Sequence, residues 1–289
     1  MNMFLKAIGF DNITGLHEQD ALLHDVLTKA DFKKVVEDNG HTFVEISKEY
    51  APDAGITVFG EYTDELFRME YFYPYFWGSQ VSSYEQIGVD RHIRGNSYAG
   101  VCDDKKIGTS LIFQVDNVCE YLDYRARKDK ANAPSSVSLA GLSDTGAILF
   151  PVNEDRKPVP EDPAVVEKRD NLFNAARNGD EDAIESLTME DMDTYNMLAN
   201  RVHYEDVYSI VDSYFMPYGL ECDLYNVMGD ITDCNRVRNT YTGESFWQFS
   251  LVCNGIPVDI SINEKNLAGI PEVGRRFKGI VWLQGRIIF

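Results

Sequence analysis

Cysteine is scarce in this chain and shows neither a disulfide pattern nor a metal-binding pattern. The five cysteines lie at positions 102, 119, 222, 234 and 253, an odd number with no C-x-x-C pair. Disulfide-stapled domains and zinc knuckles need paired cysteines or closely spaced ligands. The spacing therefore predicts reduced thiols, no metal site and a cytoplasmic location.

Long apolar runs are also missing. The chain has no apolar run that approaches the length of about twenty residues that a membrane-spanning helix needs. Its first ten residues, MNMFLKAIGF, contain a short apolar run interrupted by Lys6 and no small-residue cleavage site. These absences predict a soluble protein that has no membrane partner.

Basic residues are few: 27 Lys and Arg stand against 47 Asp and Glu, for a net charge of -20. Such a field repels nucleic-acid phosphates and favours basic partners, although it also describes an ordinary well-solvated surface. The last quarter differs, because residues 225–289 carry seven Lys and Arg and six Asp and Glu. Any anion-binding function is therefore expected in this last quarter, and nucleic acid is not an expected partner.

Common catalytic and cofactor-binding signatures are absent as well. We find no dinucleotide-binding glycine fingerprint, no P-loop, no serine-hydrolase elbow and no zinc-protease helix motif. One Asp-Thr-Gly triplet, at 144–146, matches the aspartic-protease motif, but that chemistry needs two such carboxylates. We therefore predict no catalytic residue and no cofactor, and we favour a protein that is not an enzyme.

The first part of the chain, residues 1–155, has the pattern of a mixed or antiparallel sheet with helices. Apolar residues recur at helical spacing over 15–30, and alternating or continuous apolar runs follow as strands. A helix is predicted at 117–128, and the turn residues at 144–146 predict a closing hairpin.

Two further parts follow a proline-rich linker. The stretch at 151–163, PVNEDRKPVPEDP, has four prolines, which disfavour a helix. Residues 156–220 read as an acidic helical segment, and residues 221–289 as a small antiparallel β-barrel domain, OB-like. The predicted fold class is therefore α+β, in three parts.

The pair Asn254-Gly255 is the strongest hairpin signal in the chain, since it separates two alternating runs. A two-residue loop pairs Cys253 with Ile256, and the neighbouring apolar residues then fall on one face of the two strands. Further strands are predicted at about 224–238 and 276–288.

The last predicted strand carries a basic stripe at its even positions. Side chains two apart on a strand lie about 6.6 Å apart, which suits an anionic ligand, and a tryptophan can stack on a ring. The stripe consists of Arg276, Lys278, Trp282, Gln284 and Arg286, with Arg236 and Arg238 of one parity on a neighbouring strand. The alternative is that this stripe docks on acidic helices of the same chain.

The second candidate surface is an aromatic run. On a strand, one face carries Tyr71, Tyr73, Tyr75 and Trp77, and aromatic residues with polar tips can form a ligand groove or a protein-binding surface. The alternative is a strand that is buried on both sides.

Three segments of the sequence carry a resemblance. They are MNMFLKAIGF at the start, VSLAGLSDTGAILFPV in the middle, and INEKNLAGIPEVGRRFKGIVWLQGRI near the end. Together they resemble an uncharacterised bacterial domain-of-unknown-function family of Gram-positive anaerobes, over nearly the whole chain. The resemblance implies a cytosolic bacterial protein and brings no assigned activity. Separately, TSLIFQVDNVCEYLDY is similar to the strand-helix opening of glyoxalase-type modules, without a match to their metal-binding His and Glu.

These observations leave three functional hypotheses. The first is a non-enzymatic intracellular binding or scaffold protein, whose partner is a protein or a small anionic ligand. The second is an enzyme with a non-local site in a glyoxalase-like N-terminal cleft. The third is an acidic decoy that occupies a nucleic-acid-binding protein.

Overall fold

A computed structural model describes residues 3–64, 66–91, 97–127, 136–151, 175, 180, 182–183, 185–186, 213–219 and 223–289. The chain splits into two compact units, one of residues 1–150 and 213–289 and one of residues 151–212. Residues 152–163 of the predicted linker and most of the predicted acidic helices lie outside the described residues. None of the described helices is both long and apolar enough to cross a membrane.

A four-stranded antiparallel sheet forms the first half of the larger unit. Its strands are β1 (Phe32–Asp38), β2 (His41–Ala51), β3 (Ala54–Thr63) and β4 (Leu66–Phe76), in that order across the sheet. A two-residue turn joins β1 to β2, with positive φ at Asn39 (51°) and Gly40 (82°). Both angles fit the type I′ turn that Asn-Gly favours between strands.

Helices cover both faces of this sheet. On one face, α1 (Leu16–Thr28) and a 3₁₀ helix (Met3–Ile8) pack against β2, β3 and β4. Their buried side chains form an apolar cluster with Val44, Ile46, Ile56 and Val58. On the other face, α2 (Val118–Arg127) packs against β1 and β2.

The remaining strands form a larger mixed sheet. Its early strands are β5 (Ile87–Arg91), β6 (Tyr98–Cys102), β7 (Leu111–Val115) and β8 (Ser136–Leu149). Its later strands are β9 (Tyr214–Pro217), β10 (Leu224–Arg238), β11 (Ser245–Cys253), β12 (Ile256–Asn263), β13 (Leu267–Ala268) and β14 (Arg276–Ile288). A second 3₁₀ helix, Glu264–Asn266, lies between β12 and β13.

Five strands of this sheet pair in a ring. β8 pairs with β12 in parallel, and antiparallel pairs then join β12 to β11, β11 to β10, β10 to β14, and β14 back to β8. β14 also pairs in parallel with β7, which leads to β6 and β5. An apolar core that includes Phe249, Ile260 and Phe277 is contributed by strands of this ring.

The hairpin between β11 and β12 has the predicted register. Cys253 pairs with Ile256, and the turn residues Asn254 and Gly255 have φ of 50° and 73°. β10 and β14 also begin and end where alternation predicted them. Alternation succeeds here because each of these strands turns one apolar face into the core of the ring, whatever covers its other face.

The predicted hairpin at 144–146 is wrong. Residues 136–149 form one continuous strand, β8, and Asp144 lies at an irregularity where Thr145 pairs with Ile280 and Ser143 pairs with Val281. The Ser143 hydroxyl donates to the Ile280 carbonyl at 2.9 Å and holds this bulge. Asp, Thr and Gly therefore mark a β-bulge, which tolerates the same residues as a turn.

The described fold is α+β and mainly β, with an antiparallel sheet and a mixed sheet. Residues 1–155 and 221–289 were predicted as separate domains, whereas strands of both segments pair in one sheet, within a compact unit of residues 1–150 and 213–289. The reason is that β8 completes the ring between β12 and β14. Its pairing with β12 is parallel, whereas an all-antiparallel domain was expected.

Candidate functional site

The indole of Trp77 is the centre of a cluster that three strands build. Trp77 follows β4, and its backbone N–H donates to the Asp53 carbonyl at 2.9 Å. Its ring stacks on Tyr75 at a centroid distance of 4.5 Å and approaches Phe32, the first residue of β1, at 5.5 Å. The Arg286 guanidinium of β14 lies 4.8 Å from the indole centroid. Phe32, Tyr75, Trp77 and Arg286 are called the Trp77 cluster below.

The Trp77 cluster reaches from the surface into the core. Phe32 is 50% exposed, Trp77 and Arg286 are half-buried, and Tyr75 is buried. Gly55 of β3 pairs with Tyr75, and a Cβ atom at Gly55 would lie 2.7 Å from the Tyr75 hydroxyl oxygen. Glycine at this position therefore leaves the space that the tyrosine occupies.

The other tyrosines of β4 continue the same face inward. Tyr71 stacks on Tyr73 at 6.0 Å, and the Tyr73 hydroxyl donates to the backbone carbonyl of Asp116 at 3.2 Å. Burial raises the pKa of both phenols well above the usual value, and the Glu45 charge raises both further. The aromatic run thus lies against acidic groups.

Glu45 of β2 is a carboxyl buried beneath the first turn of α2. The backbone N–H of Cys119 donates to its Oε2 atom at 3.2 Å, and carboxylates are favoured at helix N-termini. Burial nevertheless raises the pKa of Glu45 to about 7, and the Glu120 charge adds to this, whereas Arg286 opposes it. Desolvation therefore outweighs the helix contact.

Asp116 lies between β7 and α2 and is 5% exposed. Burial raises its pKa well above the usual value. The Arg286 charge opposes this shift and the Glu45 charge adds to it. Glu45 and Asp116, called the carboxyl pair below, therefore form two buried acids that interact with each other and with one arginine.

Five buried polar atoms of this region have no hydrogen-bond partner in the part of the chain that the structure describes. They are Glu45 Oε1, Asp116 Oδ1, Tyr71 Oη, Tyr75 Oη and Trp77 Nε1. An unpaired buried polar atom costs about 1–3 kcal/mol, and most proteins contain few. Four of the five are oxygens that can accept a hydrogen bond, so the region is suited to a group with N–H donors.

Acidic groups also surround the exposed side of the Trp77 cluster. Arg286 Nη2 lies 3.0 Å from Glu120 Oε1, a partly exposed pair. Burial raises the pKa of Glu49, and the charges of Asp53 and Asp31 raise it further. Burial is the main cause of the raised pKa of Tyr75, and the charges of Glu49, Asp31 and Asp53 raise it further. These three acids therefore lie near the Tyr75 hydroxyl. Carboxylates therefore outnumber the single guanidinium.

Among the residues that the structure describes, no three His, Cys, Asp or Glu side chains are grouped so that they could hold a metal ion. Comparison with known proteins identifies a family instead. The model described as "Domain of unknown function, E. rectale Gene description (DUF3881)" matches residues 5–285. The chain belongs to the DUF3881 family. No curated protein and no solved structure matches it.

The family match confirms the resemblance that three segments of the sequence carried, over nearly the whole DUF3881 chain. The family description names no activity.

Most members of the predicted basic stripe bind other parts of the DUF3881 chain. The Trp282 indole N–H donates to Asp223 Oδ2 at 2.7 Å, and its ring stacks on Phe4 at 5.5 Å. Gln284 is fully buried, and its amide bonds the backbone of β4. Arg276 is 4% exposed and donates to the Phe150 carbonyl at 3.0 Å.

The arginines of β10 also have partners within the chain. Arg236 forms a bidentate pair with Glu264 at 3.0 and 2.8 Å, and Arg238 donates to the Gly243 carbonyl at 2.7 Å. Lys278 is half-buried. Of the predicted stripe, only Arg286 lies in the Trp77 cluster.

Sequence reasoning missed Phe32, Glu45 and Asp116. Glu45 stands between Val44 and Ile46 in the most apolar stretch of its strand, and an acid in such a stretch was a usable signal. Asp116 directly precedes the helix that was predicted at 117–128. Its position under the tyrosines depends on how α2 packs on the first sheet, which no local pattern reveals.

Proposed function

We propose that this protein is a binding protein, without catalytic activity, that recognises a guanidinium or ammonium group of its partner at the Trp77 cluster. The observation that carries the proposal is the position of the chain's own Arg286, which lies 4.8 Å from the Trp77 ring centroid and 3.0 Å from a Glu120 oxygen. An indole face and a carboxylate are what a guanidinium binds best.

The charge of the surroundings supports a cationic ligand. The carboxyl pair lies behind the cluster, and Asp31, Glu49 and Asp53 lie near Tyr75. The unpartnered oxygens of the carboxyl pair are acceptors, and a cationic nitrogen brings several donors. A small anionic ligand, expected from the stripe, would meet repulsion from Glu120 and from the acids near Tyr75.

Tyr75 and Arg286 both contact the Trp77 indole, so an incoming guanidinium must compete with Arg286. On this proposal the partner's cation displaces Arg286 from the indole while Arg286 keeps its contact with Glu120. A cation–π contact contributes about 0.5–2 kcal/mol, depending on how far it is desolvated. Removing Arg286 should therefore strengthen binding, because it removes an internal competitor.

Isothermal titration calorimetry with N-acetyl-arginine methyl ester tests the proposal, and the N-acetyl-citrulline ester is the neutral control. We expect the arginine ester alone to bind. Trp77→Ala should abolish binding, and Arg286→Gln should strengthen it about three- to tenfold. Trp247→Ala removes a tryptophan of another strand and should leave the affinity unchanged.

Equal heats from the two esters would contradict the proposal, as would weaker binding by Arg286→Gln. The second result would mean that Arg286 only stabilises the local fold. Near-ultraviolet circular dichroism of each variant establishes that the aromatic packing is retained.

Acid–base catalysis is a second candidate, and one observation favours it. The Glu45 carboxyl has a pKa of about 7 and lies among polar groups contributed by distant parts of the chain. Catalytic acids and bases have pKa values near the working pH. The segment similar to glyoxalase modules forms β7 and α2 beside this carboxyl. Stoichiometric divalent metal in the purified protein, or turnover that Glu45→Gln abolishes, would favour the enzyme.

We also propose that the ring of β8, β12, β11, β10 and β14 forms a small OB-like barrel. Its support is the cyclic pairing and the apolar core that these strands contribute. The proposal differs from the sequence prediction in taking its fifth strand from the N-terminal part. A cytoplasmic location likewise stays a proposal, supported by unpatterned cysteines.

A further inference from the structure

The strand β1 is an exposed edge of the four-stranded sheet. Five of its seven residues are exposed, among them Phe32 and Val35, which is 46% exposed. Among the described strands, β1 pairs only with β2. An edge of this kind offers backbone donors and acceptors to a further strand.

The opposite edge of the same sheet is protected. The Gln284 side chain accepts from the Phe76 N–H at 3.1 Å and donates to the Pro74 carbonyl at 2.7 Å, so it occupies the edge of β4. Pro74 itself lacks a backbone donor. Any extension of this sheet is therefore expected at β1.

The turn after β1 determines which backbone groups point outward. A two-residue loop is closed by a hydrogen-bonded pair, here Asp38 and His41, and bonded pairs alternate along the ladder. The even residues of β1 therefore bond to β2. Lys33, Val35 and Glu37 direct their N–H and C=O groups to the open edge.

The same three residues are complementary to themselves. When two copies of β1 run antiparallel about a two-fold axis at Val35, Val35 faces Val35 and each Lys33 faces a Glu37 of the other copy. Opposite charges at facing positions stabilise a strand pair, and a two-fold interface must be self-complementary in this way. We propose that the protein forms a homodimer through antiparallel pairing of β1, which joins two four-stranded sheets into one.

The other charges of β1 do not oppose this pairing. Lys34 lies 3.4 Å from Asp123, and Arg125 lies 2.7 Å from Asp38, so the even positions form ion pairs with α2. Lys33 Nζ donates to the exposed Tyr62 hydroxyl at 3.0 Å, a weak contact that the Glu37 carboxylate of the other copy can replace. The strand itself, with two Lys and two acids, is neutral although the chain is not.

Lysine on an edge strand is also a common device against association. The two roles make opposite predictions for charge reversal. If Lys33 only protects the edge, its reversal leaves a monomer unchanged. If it pairs with Glu37, each single reversal separates the copies and the exchange of both charges restores them.

Sedimentation velocity of the full chain decides between them, at concentrations up to about 200 µM and at near-physiological salt. We expect a dimer for wild type. Lys33→Glu and Glu37→Lys should each weaken association about tenfold or more, because each turns two attractive pairs into repulsive ones. The double variant should recover most of the wild-type affinity.

Two further variants make the result specific. Lys105→Glu makes the same charge change at an exposed position outside β1 and should leave the dimer intact. Val35→Pro removes an outward N–H without breaking a bond to β2 and should give a folded monomer. A monomeric wild type, a dimer that survives both single reversals, or a double variant that stays monomeric would each overturn the proposal.

Discussion

Glu45 shows how a single side chain can make the stability of this fold depend on pH. Its carboxyl is 8% exposed, and its Oε1 atom has no partner in the described chain. One N–H of α2 stabilises the ionised form, but the loss of water costs more, so the folded protein holds the Glu45 proton up to a pH of about 7. Removing the proton at higher pH therefore weakens the fold.

We expect Glu45→Gln to remove this pH dependence. The Glu45 pKa is raised from 4.5 to about 7, so stability is fully present at low pH and falls as the pH rises from about 5 to about 8. The loss is at most about 3 kcal/mol. Urea unfolding at about pH 5 and about pH 8 measures this loss. Between these two pH values, the free energy of unfolding of the variant should rise relative to that of wild type by up to this amount.

The exposed carboxyl of Glu85 provides the control, since Glu85→Gln should track wild type at both pH values. A difference between Glu45→Gln and wild type that is the same at both pH values would mean that the Glu45 proton does not affect folding.

Alternation predicted the tyrosine face of β4, because every second side chain of a strand points the same way. It could not predict that Phe32 of β1, at the far edge of the same sheet, meets Trp77. Nor could it predict that Arg286, more than two hundred residues away, packs on the same indole. Contacts between side chains so distant in sequence depend on tertiary packing, whereas the alternating pattern is local.

Gln284 connects β14 to β4, two strands that no local pattern predicted to be neighbours. Its even position in the last strand predicted a place in the basic stripe, but its buried amide bonds the backbone of β4 and fixes β14 against the first sheet. The Gln284 amide thus supplies the hydrogen bonds that a neighbouring strand would otherwise supply at this edge of β4.

Replacement of Gln284 by leucine should destabilise the protein by about 2–5 kcal/mol. The change leaves the Phe76 N–H and the Pro74 carbonyl buried without partners, and each unpaired group costs about 1–3 kcal/mol. Urea unfolding measures the loss. Gln248→Leu is the matched control, because Gln248 donates to the Pro52 carbonyl at an exposed position where water can replace it. We expect this variant to lose less than about 1 kcal/mol of unfolding free energy. Equal losses for the two variants would contradict this role of Gln284.

The two Asn-Gly turns differ in how well the strands beside them could be predicted. Asn254-Gly255 gave the register of β11 and β12, which the structure confirms. Asn39-Gly40 carries the same signal, but β1 was missed because its charged and exposed residues lack alternation. The break predicted within β8 failed for a different reason, since a bulge and a turn favour the same residues.

At the scale of the whole molecule, charge and periodicity predicted an acidic α+β protein but not how its segments combine. The core strands of the first and last parts lie in one sheet, so the ring depends on pairing between residues far apart in sequence. A net charge of -20 attracts any cation over a distance of about 8 Å at physiological salt. Specific binding of a cation at the Trp77 cluster must therefore be distinguished from the attraction that the net charge exerts on every cation.

Nuclear magnetic resonance of the indole N–H groups makes that separation most directly. The chain has three tryptophans, and Trp77→Phe assigns the resonance of Trp77. On titration with N-acetyl-arginine methyl ester, we expect the Trp77 resonance to shift and saturate while those of Trp247 and Trp282 stay in place. Three resonances that drift together without saturation, or a Trp77 resonance that does not move, would contradict recognition of a cation at this cluster.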